Sequence, residues 1–189
     1  MVIVWALAAL AAGLLIGLAA GWWLPPHGRR GTLARQDAAR RILLPFSGEA
    51  ISTRALDAAF RLALAEGATL MPAYLATVPR SMPLEAALPR QAGLALPVME
   101  AVEQRASRRG IPTDCRVSRG RTRRDALRRL VAEERVDRII VAARRDGDPG
   151  FTQDDIAWLL ASAQAEVLVL RPGPDDHRVV TARAVRGHF

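Results

Sequence analysis

The run Arg138-Ile-Ile-Val-Ala142 is short, apolar and does not alternate between apolar and polar residues. A strand with no polar face has to be covered on both sides, as the strands of parallel sheets are. Two further short runs belong with it. Arg41-Ile-Leu-Leu-Pro-Phe46 is closed by Ser47-Gly48, and Glu166-Val-Leu-Val-Leu170 is followed by Arg171-Pro-Gly-Pro. Their shortness and their turn residues indicate buried strands. Thr69 to Val78 reads as the second strand and Pro112 to Val117 as the third. Between the strands the period becomes helical. Ile51, Ala55, Ala58, Ala59, Leu62 and Ala63 share one face of a helix expected over Ala50 to Glu66, which Gly67 is placed to end. Pro79 to Pro97, with four prolines, reads as a loop with a short helical turn. Further helices are expected from Leu96 to Arg109, from Thr122 to Glu134, and from the capping arrangement Thr152-Gln-Asp-Asp155 to Ser162. This alternation implies an α/β fold: a five-stranded parallel sheet with helices on both faces. Ligands of such sheets bind at the carboxyl ends of the strands, near the topological switch point. The loops after Phe46 and Ala143 are therefore the places for a site.

Ahead of this pattern, Val2 to Leu24 contains no charged residue. As a helix it would extend about 34 Å, enough to cross a hydrocarbon layer of about 30 Å. Trp5 lies near one end and Trp22 and Trp23 at the other, as in an aromatic belt, and Pro25-Pro26 stop the run. Arg29, Arg30, Arg35, Arg40 and Arg41 follow, against the single acid Asp37. Positive flanks stay on the cytoplasmic side. The expectation is a single-pass anchor in the cell (inner) membrane, with the N-terminus outside and the soluble part in the cytoplasm. A cleaved signal peptide fits less well, because a basic leading region is missing and the apolar run is long. Ala9, Gly13, Gly17 and Gly21 make a stripe of small residues that lets two such helices approach closely, although Gly and Ala are common in spans anyway. The expected organisation is a transmembrane helix over 2–24, a basic linker over 25–40, an α/β domain over 41–172 and a basic tail over 173–189.

The formal charge is +8 and every basic side chain is Arg. Beside a membrane span, an anionic lipid surface is the simplest partner for that charge. Cys115 is the only cysteine, so it has no cysteine partner for a disulfide or a zinc site. His27, His177 and His188 fall in the linker and tail, which disfavours a metal site or a histidine-based catalytic centre. Arg116, Arg119, Arg121, Arg123, Arg124, Arg128 and Arg129 form a basic cluster. It reads first as a solvated helix face, helped by Asp125 and Arg129 at i,i+4, and second as a lipid contact. Nucleic acid is disfavoured because no aromatic residue is interleaved for stacking. Glu100, Glu103, Glu133 and Glu134 are not arranged as a carboxylate pair across a cleft, and Phe46-Ser47-Gly48 lacks the pattern of a nucleophile elbow. Enzymatic activity is not expected.

The segments RILLPFSGEAISTRALDAAFRLA, GIPTDCRVSRG, VDRIIVAA and AEVLVLRP, in this order, resemble a universal stress protein domain over about Arg40 to Pro172. The resemblance implies the five-stranded parallel sheet and, for many members, a dimer through the last strand. A homodimer is thus expected through Gly13, Gly17 and Gly21 together with the fifth strand, with a multi-span membrane protein as a further partner. Some members bind ATP and others do not. ATP-binding members have an Asp after the first strand, where this chain has Ser47. They also have Gly-x2-Gly-x9-Gly-Ser/Thr, of which Gly147 and Gly150 match the first half, while Leu160 and Ala161 occupy the second. The resemblance points to Ser47, Gly48, Gly147 and Gly150, and the positive charge of Arg144 and Arg145 beside them completes the candidate nucleotide contacts, with ATP the only cofactor implied. Asp154 and Asp155 suit the helix dipole but repel a triphosphate, so a plain capped helix is the favoured reading of that loop. A regulatory or interaction module is the leading functional expectation, and an adenine-nucleotide sensor the alternative.

Overall fold

The computed structural model describes residues 40–48, 50–144 and 150–171, together with the backbone of Val179–Val180. The chain divides into units Met1–Ala38 and Ala39–Phe189, and all described residues belong to the second. The expected anchor over Val2 to Leu24, its small-residue stripe and most of the basic linker lie outside the described residues. Among the described residues no helix is long and apolar enough to cross a membrane.

The elements run β1 (Arg41–Phe46), β2 (Ile51–Ser52), α1 (Thr53–Glu66), β3 (Thr69–Thr77), α2 (Pro89–Ser107), β4 (Arg116–Gly120), α3 (Arg123–Glu133), β5 (Arg138–Ala142), α4 (Gln153–Ser162), β6 (Glu166–Leu170) and β7 (Val179–Val180). Five strands form one parallel sheet in the order β4-β3-β1-β5-β6. The chain builds outward from β1 through β3 to β4, then crosses to the other side of β1 for β5 and β6. The switch point is therefore between β1 and β5. Along β1, Ile42, Leu44 and Phe46 enter the core layer beneath α1 and α2, whereas Leu43 enters the layer beneath α3 and α4. This double burial is the physical reason for the unalternating apolar runs.

Three expectations need correction. The first helix begins at Thr53 instead of Ala50, because Ile51–Ser52 pairs antiparallel with Val179–Val180 and Ser52 Oγ accepts from the Ala55 N–H as the N-cap. The third strand is Arg116–Gly120, not Pro112 to Val117. Ahead of it, Thr113 makes only an isolated bridge to Leu70. Its inward residues are Ser118 and Gly120, which carry no apolar signal. Gly120 is required by close approach: a Cβ there would lie 2.2 Å from the Ala126 amide nitrogen of α3. Ser118 Oγ donates to the Ala126 carbonyl at 2.8 Å, so β4 and α3 meet backbone to backbone. The second helix starts at Pro89, seven residues before the expected Leu96, and contains Pro97. A proline ring crowds the carbonyl four residues back. Here that residue is Gly93, on the exposed face of the helix, where the carbonyl faces water and not the core.

The amino ends of the strands are tied by ion pairs. Arg138 of β5 reaches Glu66 at the end of α1 and places Nε and Nη2 at 2.8 and 2.6 Å from Glu166 of β6. Arg41 Nη1 meets Glu134 at 2.7 Å. Arg116 Nη2 pairs with Asp114 at 2.9 Å, while its buried Nε, 3.3 Å from Glu134, is near enough for charge pairing but misaligned for a hydrogen bond.

Candidate functional site

At the carboxyl ends of β1 and β5 the described residues leave a small crevice. Its floor is apolar, with Leu44, Phe46, Ile51, Ala55, Ala142 and Phe151, and Ser47, Ser52 and Gly150 stand at its rim. The volume is about 20 Å³, on the scale of a single water. Phe46 packs edge-on against Tyr74 of β3, ring centroids 5.5 Å apart. Burial pushes the Tyr74 phenol above its ordinary value, against a smaller opposing effect of the Gly48 backbone.

Two of the candidate residues, Ser47 and Gly150, are joined by a residue from a third element. Arg123, the first residue of α3, directs Nη1 to Ser47 Oγ at 3.3 Å and to the Gly150 carbonyl at 3.1 Å. Its Nη2 lies 4.0 Å from Asp155. Gly48 is exposed beside Ser47. Arg144 is exposed, while its amide donates to the Phe151 carbonyl and the Phe151 amide returns a bond to the Ala142 carbonyl. That tight exchange explains Gly150, where a Cβ would sit 2.9 Å from the Ala142 carbonyl oxygen. Arg145 and Gly147 lie outside the described residues.

The amino end of α4, where a phosphate would sit, is filled by the chain itself. Thr152 and Asp155 form a reciprocal capping box: the Asp155 amide donates to Thr152 Oγ1 at 3.2 Å, and the Thr152 amide donates back to the carboxylate at 3.4 Å. Thr152 Oγ1 also donates to Asp155 at 2.8 Å, and Arg124 Nη2 at 3.2 Å. Burial works to raise the Asp155 pKa, but the bonds from Thr152 and Arg124 outweigh it and hold the carboxyl below its ordinary range. A carboxylate so fixed is ionised at neutral pH and is not free to exchange protons. Arg124 in turn lies over Trp158, 5.5 Å from the ring centroid.

All seven clustered arginines contact the protein. Arg119 donates to the Glu85 carbonyl, and Arg121 donates to those of Pro79 and Met82, which fastens the loop between β3 and α2. Arg128 and Arg129 flank Asp125 at 2.9 and 3.4 Å, the latter being the expected i,i+4 pair. Cys115 is half-buried, and burial, with Glu103 and Asp114 nearby, pushes its thiol up to about 11. It stays protonated at neutral pH, as a weak nucleophile. Among the described residues no cluster of His, Cys, Asp or Glu could hold a metal ion.

Arg123 was not among the residues singled out by motif. It is 76 positions from Ser47, and no local pattern marks it. The only signal available was its place at the start of the helix whose crossover returns the chain toward β1.

The family model for the universal stress protein family matches residues 38–171. Solved structures share the fold. A universal stress protein family member from Burkholderia pseudomallei is 23% identical, with a TM-score of 0.53 over 71% of this chain and 97% of that one. A universal stress protein from Archaeoglobus fulgidus is 16% identical, with a TM-score of 0.53 over 73% and 98%. A family protein from Arabidopsis thaliana, solved with AMP bound, is 13% identical, with a TM-score of 0.50 over 74% and 95%. None of the curated proteins matches the sequence.

Proposed function

This chain belongs to the universal stress protein family, and from that premise we propose that it is a membrane-tethered regulatory or interaction module, not an ATP-dependent enzyme. One observation carries the reading. The helix terminus that would receive phosphate already holds Asp155, itself bonded to Thr152 and Arg124. A triphosphate would have to approach the acidic side chains of Asp154 and Asp155 and displace bonds already made. Across the crevice Ser47 presents a hydroxyl to Arg123, so a ribose would find no carboxylate there. The tether rests on the uncharged run Val2 to Leu24 and the arginines after it. Homodimerisation rests on Gly13, Gly17 and Gly21, and on β6, which among the described residues is an outer strand of the five-stranded sheet and whose Val169 is 37% exposed. Membrane lipid, and a membrane protein bound through the same tether, are the partners this arrangement suits.

A second reading, an adenine-nucleotide sensor, draws on the position of the crevice at the switch point and on the AMP bound by the Arabidopsis relative. The contacts would come from Ser47, Gly48, Arg144, Arg145, Gly147 and Gly150. Nucleotide released by denaturing the purified full chain separates the two. The first reading expects well under one adenine nucleotide per chain, and stoichiometric AMP or ATP would establish the second in its place.

A further inference from the structure

We propose that the exposed face of α2 is a second self-association surface, on which α2 of another copy of this chain packs antiparallel across a two-fold axis near Gly93 and Leu96. This contact is separate from pairing through β6, and it rests on the proposed homodimer only for the local concentration of chains.

α2 turns Ala95, Val98, Met99, Ala101 and Val102 into the core. Over its first turns the opposite face carries Pro89, Ala92, Gly93 and Leu96, all exposed, with Leu96 at 54%. Arg90 is the one charged residue between Pro89 and Pro97. The solvent face of a surface helix is ordinarily charged or polar, so this apolar stretch is the exception. A Cβ at Gly93 would meet nothing within 4 Å, so the helix surface is open there to an incoming side chain. Leu96 is three residues further on, the spacing of neighbours on a helix face. In an antiparallel pair each Leu96 sits opposite the Gly93 of the other copy, and the glycine lets the two axes approach to about 8 Å.

The charges on this face fit the same arrangement. Arg90 and Glu100 are both exposed, and among the described residues neither has an ion-pair partner. At 1.5 Å per residue they lie about 7 Å and about 8 Å to either side of the midpoint of Gly93 and Leu96. At about 100° per residue both stand on the same flank of α2 as Gly93. A two-fold axis brings like flanks together with their directions reversed, so Arg90 of each copy meets Glu100 of the other. A partner of single charge sign, such as an anionic surface, would meet one of the two with its own sign, and this favours a second copy. A few turns of one helix bury less than the roughly 1,200–2,000 Å² of a stable interface. The contact therefore joins copies that another contact already holds at roughly millimolar effective concentration, and it leaves the folding stability of a dilute domain unchanged. α2 packs on β3, on a face of the sheet, whereas β6 is the edge strand beyond β5, so both contacts fit one assembly.

The test uses the full chain with Cys115→Ala and Leu96→Cys, and a short bismaleimide that links two thiols between copies. Glu133→Cys, on the exposed face of α3 across the sheet, is the reference for random collision. The expected result is cross-linking at position 96 that is about tenfold faster than at position 133. In the Leu96→Cys chain, Arg90→Glu and Glu100→Arg should each slow it about fivefold, the scale of two exposed ion pairs lost together. The double reversal should restore it, because the pairs are remade with their signs exchanged. Equal rates at positions 96 and 133 would overturn the proposal, and so would a double reversal as slow as the single ones. Dilution separates this contact from the proposed homodimer. A rate that falls with dilution, with the preference for position 96 and the charge rescue retained, would support the α2 contact and count against the homodimer.

Discussion

Gly120→Ala is expected to destabilise the domain by on the order of 3 kcal/mol, the upper range for forcing added volume into a packed site. The new Cβ would lie 2.2 Å from the Ala126 nitrogen and 2.8 Å from Ala126 Cα, and both are backbone atoms of α3 that cannot rotate away. The edge strand or the helix must shift, and the Ser118 bond to the Ala126 carbonyl lies directly between them. Loss of about 3 kcal/mol lowers the melting temperature by roughly 6–12 °C for a domain of this size. Gly93→Ala is the matched control. It lies in α2 with nothing within 4 Å of its Cβ position, so it should be neutral or stabilising by up to about 1 kcal/mol. Urea unfolding of the two variants checks both; equal stability would mean that β4 and α3 are further apart than described.

Arg138→Met is expected to cost about 2 kcal/mol, since the lost bonds are charge-assisted but only partly shielded from water. The Arg138 side chain is 20% exposed and Glu66 is 17% exposed, so methionine keeps the packing while leaving Glu66, among the described residues, with Arg40 at 3.4 Å. The ion pair joins the end of α1 to β5, and the bonds to Glu166 join β5 to β6. By contrast, Arg128→Ala removes a pair whose arginine side chain is 71% exposed, and it should change stability by less than about 0.5 kcal/mol. A loss at Arg138 no larger than at Arg128 would place this network among ordinary surface pairs.

The parts of the fold that could be read in advance were those where burial leaves a pattern. β1, β5 and β6 are legible to the residue because strands covered on both faces must be apolar throughout. The end of α1 was legible from Gly67, and the start of α4 from Thr152 and Asp155. β4 was misplaced for the converse reason: its inward residues are Ser118 and Gly120, small because α3 approaches so closely, and neither signals a strand. β2 and the early start of α2 depend on tertiary context, the first on a partner at Val179–Val180 and the second on burial of Ala95, Val98 and Met99 on either side of Pro97. At the site, Ser47 and Gly150 were reachable by motif. Arg123, which connects them, was not, because its position follows from topology alone. Reading the arginine cluster as a solvated face captured Arg128 and Arg129, but not the loop-fastening Arg119 and Arg121.

Calorimetric titration of the purified full chain with magnesium-ATP tests the central claim, that the helix terminus beside the crevice is closed to a triphosphate by the chain's own Asp155, held by Thr152 and Arg124. The account predicts no saturable heat up to about 1 mM nucleotide, equivalent to less than about 4 kcal/mol of binding free energy. Saturable, magnesium-dependent binding with a Kd near 1 μM, about 8 kcal/mol, would contradict it.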